Sequence, residues 1–130
     1  MLVLVSLFIF AFLAITFLQS GYDKTVKFNE NTDWLRSHFK DTFLRNQIPF
    51  AVTILLIFEI VTGLLCVASI AEIIFTDSII FPKYALSLSC ITFLMLLFGQ
   101  RIANDYDGAR TIAIYFIIAI LGLFSMSYIA

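Results

Sequence analysis

Four stretches of the chain are apolar almost without interruption, and most polar residues fall between them. The first runs from Leu2 to about Leu18, the second from Ile48 to Phe75, the third from about Ile79 to Phe98, and the fourth from about Thr111 to Ala130. Each is near the roughly 20 residues that a helix needs to cross about 30 Å of hydrocarbon. The second is longer and has to tilt or emerge at one end. Lipid offers no hydrogen bonds to the backbone, so only helices and closed barrels span it. The runs are continuous rather than alternating, which selects helices. The pattern therefore predicts an all-α membrane protein, a bundle of four transmembrane helices over about 2–18, 48–75, 79–98 and 111–130.

The first stretch has no basic residue before it and no small-residue cleavage site after it, so it reads as a retained helix and not as a signal peptide. No linker or internal repeat divides the chain. A single integral membrane domain over 1–130 is expected, with no soluble domain at either end.

The longest segment between the stretches is Gln19–Gln47. Within it Asn31, Thr32 and Asp33 read as a helix start. Leu35, Phe39 and Phe43 then recur four residues apart, with Trp34 and Leu44 beside them and Arg36, Lys40, Asp41 and Arg45 on the other side. An amphipathic helix over about 32–45 is predicted, lying on the membrane surface or capping the bundle.

Composition strengthens the membrane reading. Hydrophobic residues make up 62% of the chain and charged residues 13%. Soluble domains carry about 45–50% apolar residues. A chain of this size cannot hide so much apolar surface within itself, so lipid has to cover it. A net charge of −1 gives no reason to expect nucleic acid as a partner. Lysine and arginine set the orientation. Lys24, Lys27, Arg36, Lys40 and Arg45 lie in the first loop and Arg101 and Arg110 in the third, against Lys83 alone in the second. The excess places loops one and three in the cytoplasm and both termini outside.

The polar residues within the stretches carry whatever chemistry the bundle has. Glu59 lies in the middle of the second, where a charged side chain costs about 2.5–3.5 kcal/mol on insertion scales. Thr62, Gly63, Cys66 and Ser69 share its face. Ala85, Ser89, Thr92 and Gly99 form a similar stripe on the third helix, and Thr111, Tyr115, Gly122 and Ser125 on the fourth. Small and polar residues on one face mark helix–helix contact in membranes. Burial favours the neutral form of a carboxyl group, so a protonated Glu59 is expected, with a hydroxyl such as Tyr115 or Ser89 as its partner. A charged partner requires Lys24 or Arg101 to reach inward from the interface. Glu59, Thr62, Cys66 and Tyr115 are thus the candidate buried polar or quinone site. Glu59 is either a functional carboxylate or a pin that fixes helix register. Glu72 falls off this face and reads as an interfacial carboxylate near the helix end.

Between Gly99 and Arg110 polar residues are dense. Lys24, Arg101, Asp105 and Asp107 form a candidate interfacial polar cluster. The alternative there is a solvated turn, with Asp107-Gly108 as a turn dipeptide and acids placed at the start of a helix. Cys66 and Cys90 form no Cys-x-x-Cys pair and suggest neither a disulfide nor a metal site. His38, the single histidine, lies outside the stretches, so a bis-histidine haem within the bilayer is excluded on ligand count. No cofactor bound by this chain alone is expected, and a quinone is the one small molecule the polar face suggests.

Three local patterns together resemble the DoxX-like family of small four-helix bacterial membrane proteins. Gly21-Tyr22-Asp23-Lys24 is similar to the family's Gly-x-x-Lys at the end of the first helix. Phe58-Glu59-Ile60-Val61-Thr62-Gly63-Leu64-Leu65 is similar to its Glu-x-x-x-Gly-Leu-Leu. The layout, with a long first loop and short later ones, also matches. The resemblance implies a bundle in the bacterial cytoplasmic membrane. It also implies a link to redox systems, because one family branch is a subunit of a thiosulfate:quinone oxidoreductase. Residue by residue it singles out Gly21, Lys24, Glu59 and Gly63.

Three functions are consistent with these features. The first is a non-catalytic accessory subunit of a respiratory or redox-linked complex, with lipids and larger integral membrane proteins as partners. The second is a quinone-interacting component in which Glu59 handles a proton. The third is proton or solute conduction by an oligomer.

Overall fold

The computed structural model of the chain describes residues 1–28, 30, 33, 37, 48–76 and 78–129. Four helices account for nearly all of them: α1 Leu2–Val26, α2 Ile48–Phe75, α3 Phe81–Ile102 and α4 Tyr106–Ile129. All four are long and apolar enough to cross a membrane, and no strand occurs among the described residues. The chain is an all-α, multi-pass membrane bundle. The amphipathic helix expected over 32–45 falls almost wholly outside the described residues.

The helices pack as a ring. Each lies against its neighbours in the chain, and α4 closes the ring against α1. The buried positions recur at steps of three or four. On α1 they include Ser6, Phe10, Leu13, Phe17 and Gly21, and on α2 Glu59, Thr62, Cys66, Ser69 and Glu72. This is the seam that lets two helices stay in contact along their length. Phe17 stacks on Phe93 with ring centroids 4.6 Å apart, and Tyr115 packs against Phe93 and, edge-on, against Phe12. Phe17 and Phe93 lie in the buried core, and Phe12 and Tyr115 extend the row to the outside of the α1–α4 contact.

Three helices run past the apolar stretches that announced them. α1 continues eight residues beyond Leu18, α3 four residues beyond Phe98, and α4 begins five residues before Thr111. Polar residues do not end a helix where it leaves hydrocarbon. They only end the apolar signal. The stretch from Gly99 to Arg110 is consequently not a loop: α3 and α4 are joined by Ala103, Asn104 and Asp105 alone, and Asp107-Gly108 lies in the first turn of α4.

The two described turns are closed by side chains at helix ends. Asn104 is left-handed (φ 60°), and the Asp105 and Asn104 N–H groups donate to the carbonyls of Gln100 (2.9 Å) and Arg101 (3.2 Å). These paired bonds satisfy the last carbonyls of α3. Asp105 then caps α4, its Oδ1 accepting the N–H of Gly108 at 3.1 Å. At the opposite end Glu72, only 8% exposed, accepts the Phe81 N–H at 3.0 Å and so caps α3 from the end of α2. Glu72 lies near the helix end, as expected, but it is buried on the inward face and not off it. The seam on α2 drifts slowly around the helix, and after thirteen residues it has reached Glu72.

Candidate functional site

Glu59 is fully buried and forms an ion pair. Lys24 Nζ lies 3.1 Å from Oε1 and 3.2 Å from Oε2, and a third Nζ–H donates to Ser20 Oγ at 2.8 Å. The three donors of the ammonium group are thereby all used. The Glu59 side chain is 0% exposed and that of Lys24 20%, so the pair is reached only from the lysine side.

The expected hydroxyl partners are corrected by this geometry. Tyr115 sits in the aromatic row with Phe12 and Phe93. Phe12 lies about 12 Å along α1 from Ser20, so Tyr115 is well below the carboxylate. Ser89 faces Cys66 (Oγ to Sγ 3.9 Å) and donates to the Ala85 carbonyl. The charged partner is Lys24, and the reason lies in the direction of the side chains. Cα–Cβ bonds tilt toward the N-terminus of a helix. α1 and α2 are antiparallel, so Lys24 leans down into the bundle while Glu59 leans up toward the loop. The two charges meet between their own backbone levels.

Two glycines bring the helices close enough for this. A Cβ on Gly63 would stand 2.7 Å from Leu18 Cδ2 and Cγ and 3.3 Å from the Leu18 backbone nitrogen. A Cβ on Gly21 would stand 2.7 Å from Ile60 Cγ1. Gly21 and Lys24 are one turn apart on α1, and Glu59 and Gly63 one turn apart on α2. These four residues, singled out above by resemblance, all fall at one helix contact.

Beneath the ion pair the polar residues of α2 meet α3. Thr62 and Thr92 hydroxyls are 3.3 Å apart, and each also donates to a carbonyl of its own helix, Phe58 and Leu88 respectively. Ser69 donates to the Leu65 carbonyl. Further down, Ser6 and Ser125 hydroxyls lie 2.9 Å apart and join α1 to α4. Of the predicted polar site, Glu59, Thr62 and Cys66 therefore share one buried face, and Tyr115 lies apart from Glu59. Of the stripes on the other helices, Ala85, Ser89, Thr92, Gly122 and Ser125 are buried, Gly99 is half-buried, and Thr111 is exposed.

The predicted interfacial cluster does not assemble. Lys24 belongs to Glu59, Asp105 to the start of α4, and Asp107 to Arg110 through an exposed bond of 2.8 Å. Arg101 lies over the Tyr106 ring, 5.1 Å from its centroid.

Ser20 escaped sequence reasoning, and Lys24 figured in it only as an alternative to a hydroxyl partner. A signal was present. Phe17, Ser20 and Lys24 continue the three–four spacing of the buried face of α1 beyond the end of the apolar run. Among the described residues no three His, Cys, Asp or Glu side chains gather as metal ligands. Set beside known proteins, the chain matches no family model, no curated protein and no solved structure.

Proposed function

We propose that this chain is a non-catalytic accessory subunit of a bacterial cytoplasmic-membrane complex of the respiratory or redox-linked kind, built on the DoxX-like plan. The observation that carries this reading is that the polar interior is closed on itself. Lys24 spends its donors on Glu59 and Ser20, Thr62 meets Thr92, and Ser6 meets Ser125. Apolar side chains fill the space between. What such a chain offers its surroundings is a set of apolar helix faces, suited to lipid and to larger integral membrane proteins. The basic residues of the first loop, with Lys24, Arg101 and Arg110 at the helix ends on the same side, favour that side facing the cytoplasm and both termini facing outside.

Purification from native membranes in mild detergent tests this. The expected result is copurification in fixed stoichiometry with a cytochrome-containing complex. Recovery of the chain with no other protein, from membranes cross-linked before extraction, overturns the reading.

One observation favours a second reading, the quinone-interacting component. The Lys24 side chain is partly exposed, so a ligand carbonyl approaching from that side can take the place of Ser20 Oγ as acceptor of one Nζ–H, next to a carboxylate. In that case Glu59→Gln abolishes quinol-linked turnover while assembly stays intact. Normal turnover in both Glu59→Gln and Glu59→Leu removes any proton role for Glu59.

A further inference from the structure

Glu59 is in the middle of the apolar run of α2, but it is not in the middle of the bundle. α2 begins further out than its neighbours. Val52 packs against Phe28 and Ala103, where α1 and α3 have already ended. Glu59 stands about 10 Å along the helix from Val52. In the other direction Glu72, at the start of α3, is about 20 Å away, and Phe75 at the end of α2 about 24 Å.

The contacts between helices carry this level around the ring. Gly21 meets Ile60, so Glu59 is level with Tyr22 on α1. Counted through the Ile9–Gly122 contact, that level reaches α4 at Ala109. Counted through Thr62–Thr92 and Leu86–Gly122, it reaches α4 at Ala113. The two counts bracket Arg110, which is exposed.

Exposed charge begins at this level. Asp23 and Arg110 lie close to it, and Lys27, Arg101 and Asp107 lie beyond it. On the other side, among the described residues, the first exposed charge is Lys83 at the start of α3. Its stem can carry the ammonium group a few ångströms further out. The uncharged band between is therefore close to the roughly 30 Å of a hydrocarbon core. Tyrosines mark both of its edges. Tyr22 and Tyr106 stand at one end and Tyr84 and Tyr128 at the other, each more than half exposed. Tyrosine gathers where hydrocarbon meets headgroups.

We propose that, on the side of the first loop, the hydrocarbon of the bilayer ends at the level of the Lys24–Glu59 pair, with Tyr22 and Tyr106 seated among the headgroups. Raising the midplane to Glu59 would draw Arg101, Asp107 and Arg110 into hydrocarbon. It would also lift the exposed apolar side chains of Leu2, Val3 and Phe75 into water. With the edge at the pair, the midplane crosses α2 near Val67. The exposed side of Lys24 then faces headgroups and water, and a proton or a ligand reaches the pair from the loop-one compartment and not from among the acyl chains. This inference stands independently of the accessory-subunit reading.

Nitroxide labels on α2 test it, read by collision with oxygen and with a water-soluble nickel chelate in liposomes of phosphatidylcholine and phosphatidylglycerol. Ile57→Cys, Val67→Cys and Ile74→Cys, all at exposed positions, carry the label in a Cys66→Ala/Cys90→Ala background. The label at Val67 is expected to be the deepest. That at Ile57 should be about 15 Å shallower and that at Ile74 about 10 Å shallower. The chelate should reach Ile57 and not Val67. A label at Ile57 less than about 7 Å shallower than that at Val67, half the spacing along the helix, overturns the proposal. So does a chelate that fails to reach Ile57, or one that reaches all three positions.

Discussion

The α1–α2 contact and the α3–α4 turn each hold a cation beside a carboxylate, and they use them differently. Lys24 and Glu59 are 35 residues apart, on facing helices, with the carboxylate wholly buried. Arg110 and Asp107 are three residues apart on one helix, with side chains 73% and 89% exposed. The first pair ties two helices together inside the bundle. The second sits on the exposed first turn of a helix. The same residue types thus differ in consequence because of burial and sequence separation. Substitutions on the two sides should reveal the difference as a graded series.

The largest effect is expected where one charge of the buried pair is removed. Lys24→Met leaves Glu59 with no cation in an apolar contact, and loss of one partner of a buried pair typically costs about 3–5 kcal/mol. The double variant Lys24→Met/Glu59→Met should recover most of that loss, because apolar side chains replace a buried pair at little cost. Unfolding of the detergent-solubilised protein by a denaturing detergent checks both. A double variant no more stable than Lys24→Met would show that Lys24 acts by something other than pairing with Glu59.

The glycines beside the pair should give a smaller and unequal effect. At Gly63 an added methyl meets the branch of Leu18 and also its backbone nitrogen at 3.3 Å, so the helix itself has to move. At Gly21 the methyl meets the flexible end of Ile60, whose backbone is 3.8 Å away. Gly63→Ala is expected to cost about 1–3 kcal/mol, as overpacking does. Gly21→Ala should cost less than Gly63→Ala in the same unfolding assay. Equal losses would mean that the two contacts yield alike.

This contact also marks how far the sequence could be read. The four helices follow from apolar runs, because lipid rewards uninterrupted apolarity and permits little else. The inward face of α2 follows from the spacing of Glu59, Thr62, Cys66 and Ser69. The partner of Glu59 does not follow as readily, since Lys24 stands beyond the end of the apolar run and looks interfacial. Finding it requires adding the tilt of each side chain along antiparallel helices, which apolar periodicity alone does not contain. The Gly99–Arg110 segment misleads for a related reason. Its polarity reports water and not the end of helix, so helical turns at both ends were hidden.

The turn itself should respond through its cap. Asp105→Ala removes the acceptor of the Gly108 N–H and should cost about 1 kcal/mol, the usual value of an N-cap. Asp105→Asn keeps an acceptor oxygen and should lose only a fraction of that. Equal losses in the two variants would place the role of Asp105 in its charge instead of in its hydrogen bond.

The smallest effect is expected at the exposed pair, and it completes the contrast. Asp107→Asn and Arg110→Gln should each change stability by less than about 0.5 kcal/mol, because water and salt already screen both groups. The bond of 2.8 Å is as short as any that Lys24 makes, so length alone would rank the two pairs together. Burial ranks them apart. Raising the ionic strength should therefore erase whatever difference Asp107→Asn produces and leave the deficit of Lys24→Met in place, since ions do not enter the α1–α2 contact. A deficit in Lys24→Met that fades with salt would mean that the Lys24–Glu59 pair is solvated after all, and the contrast between the two regions would collapse.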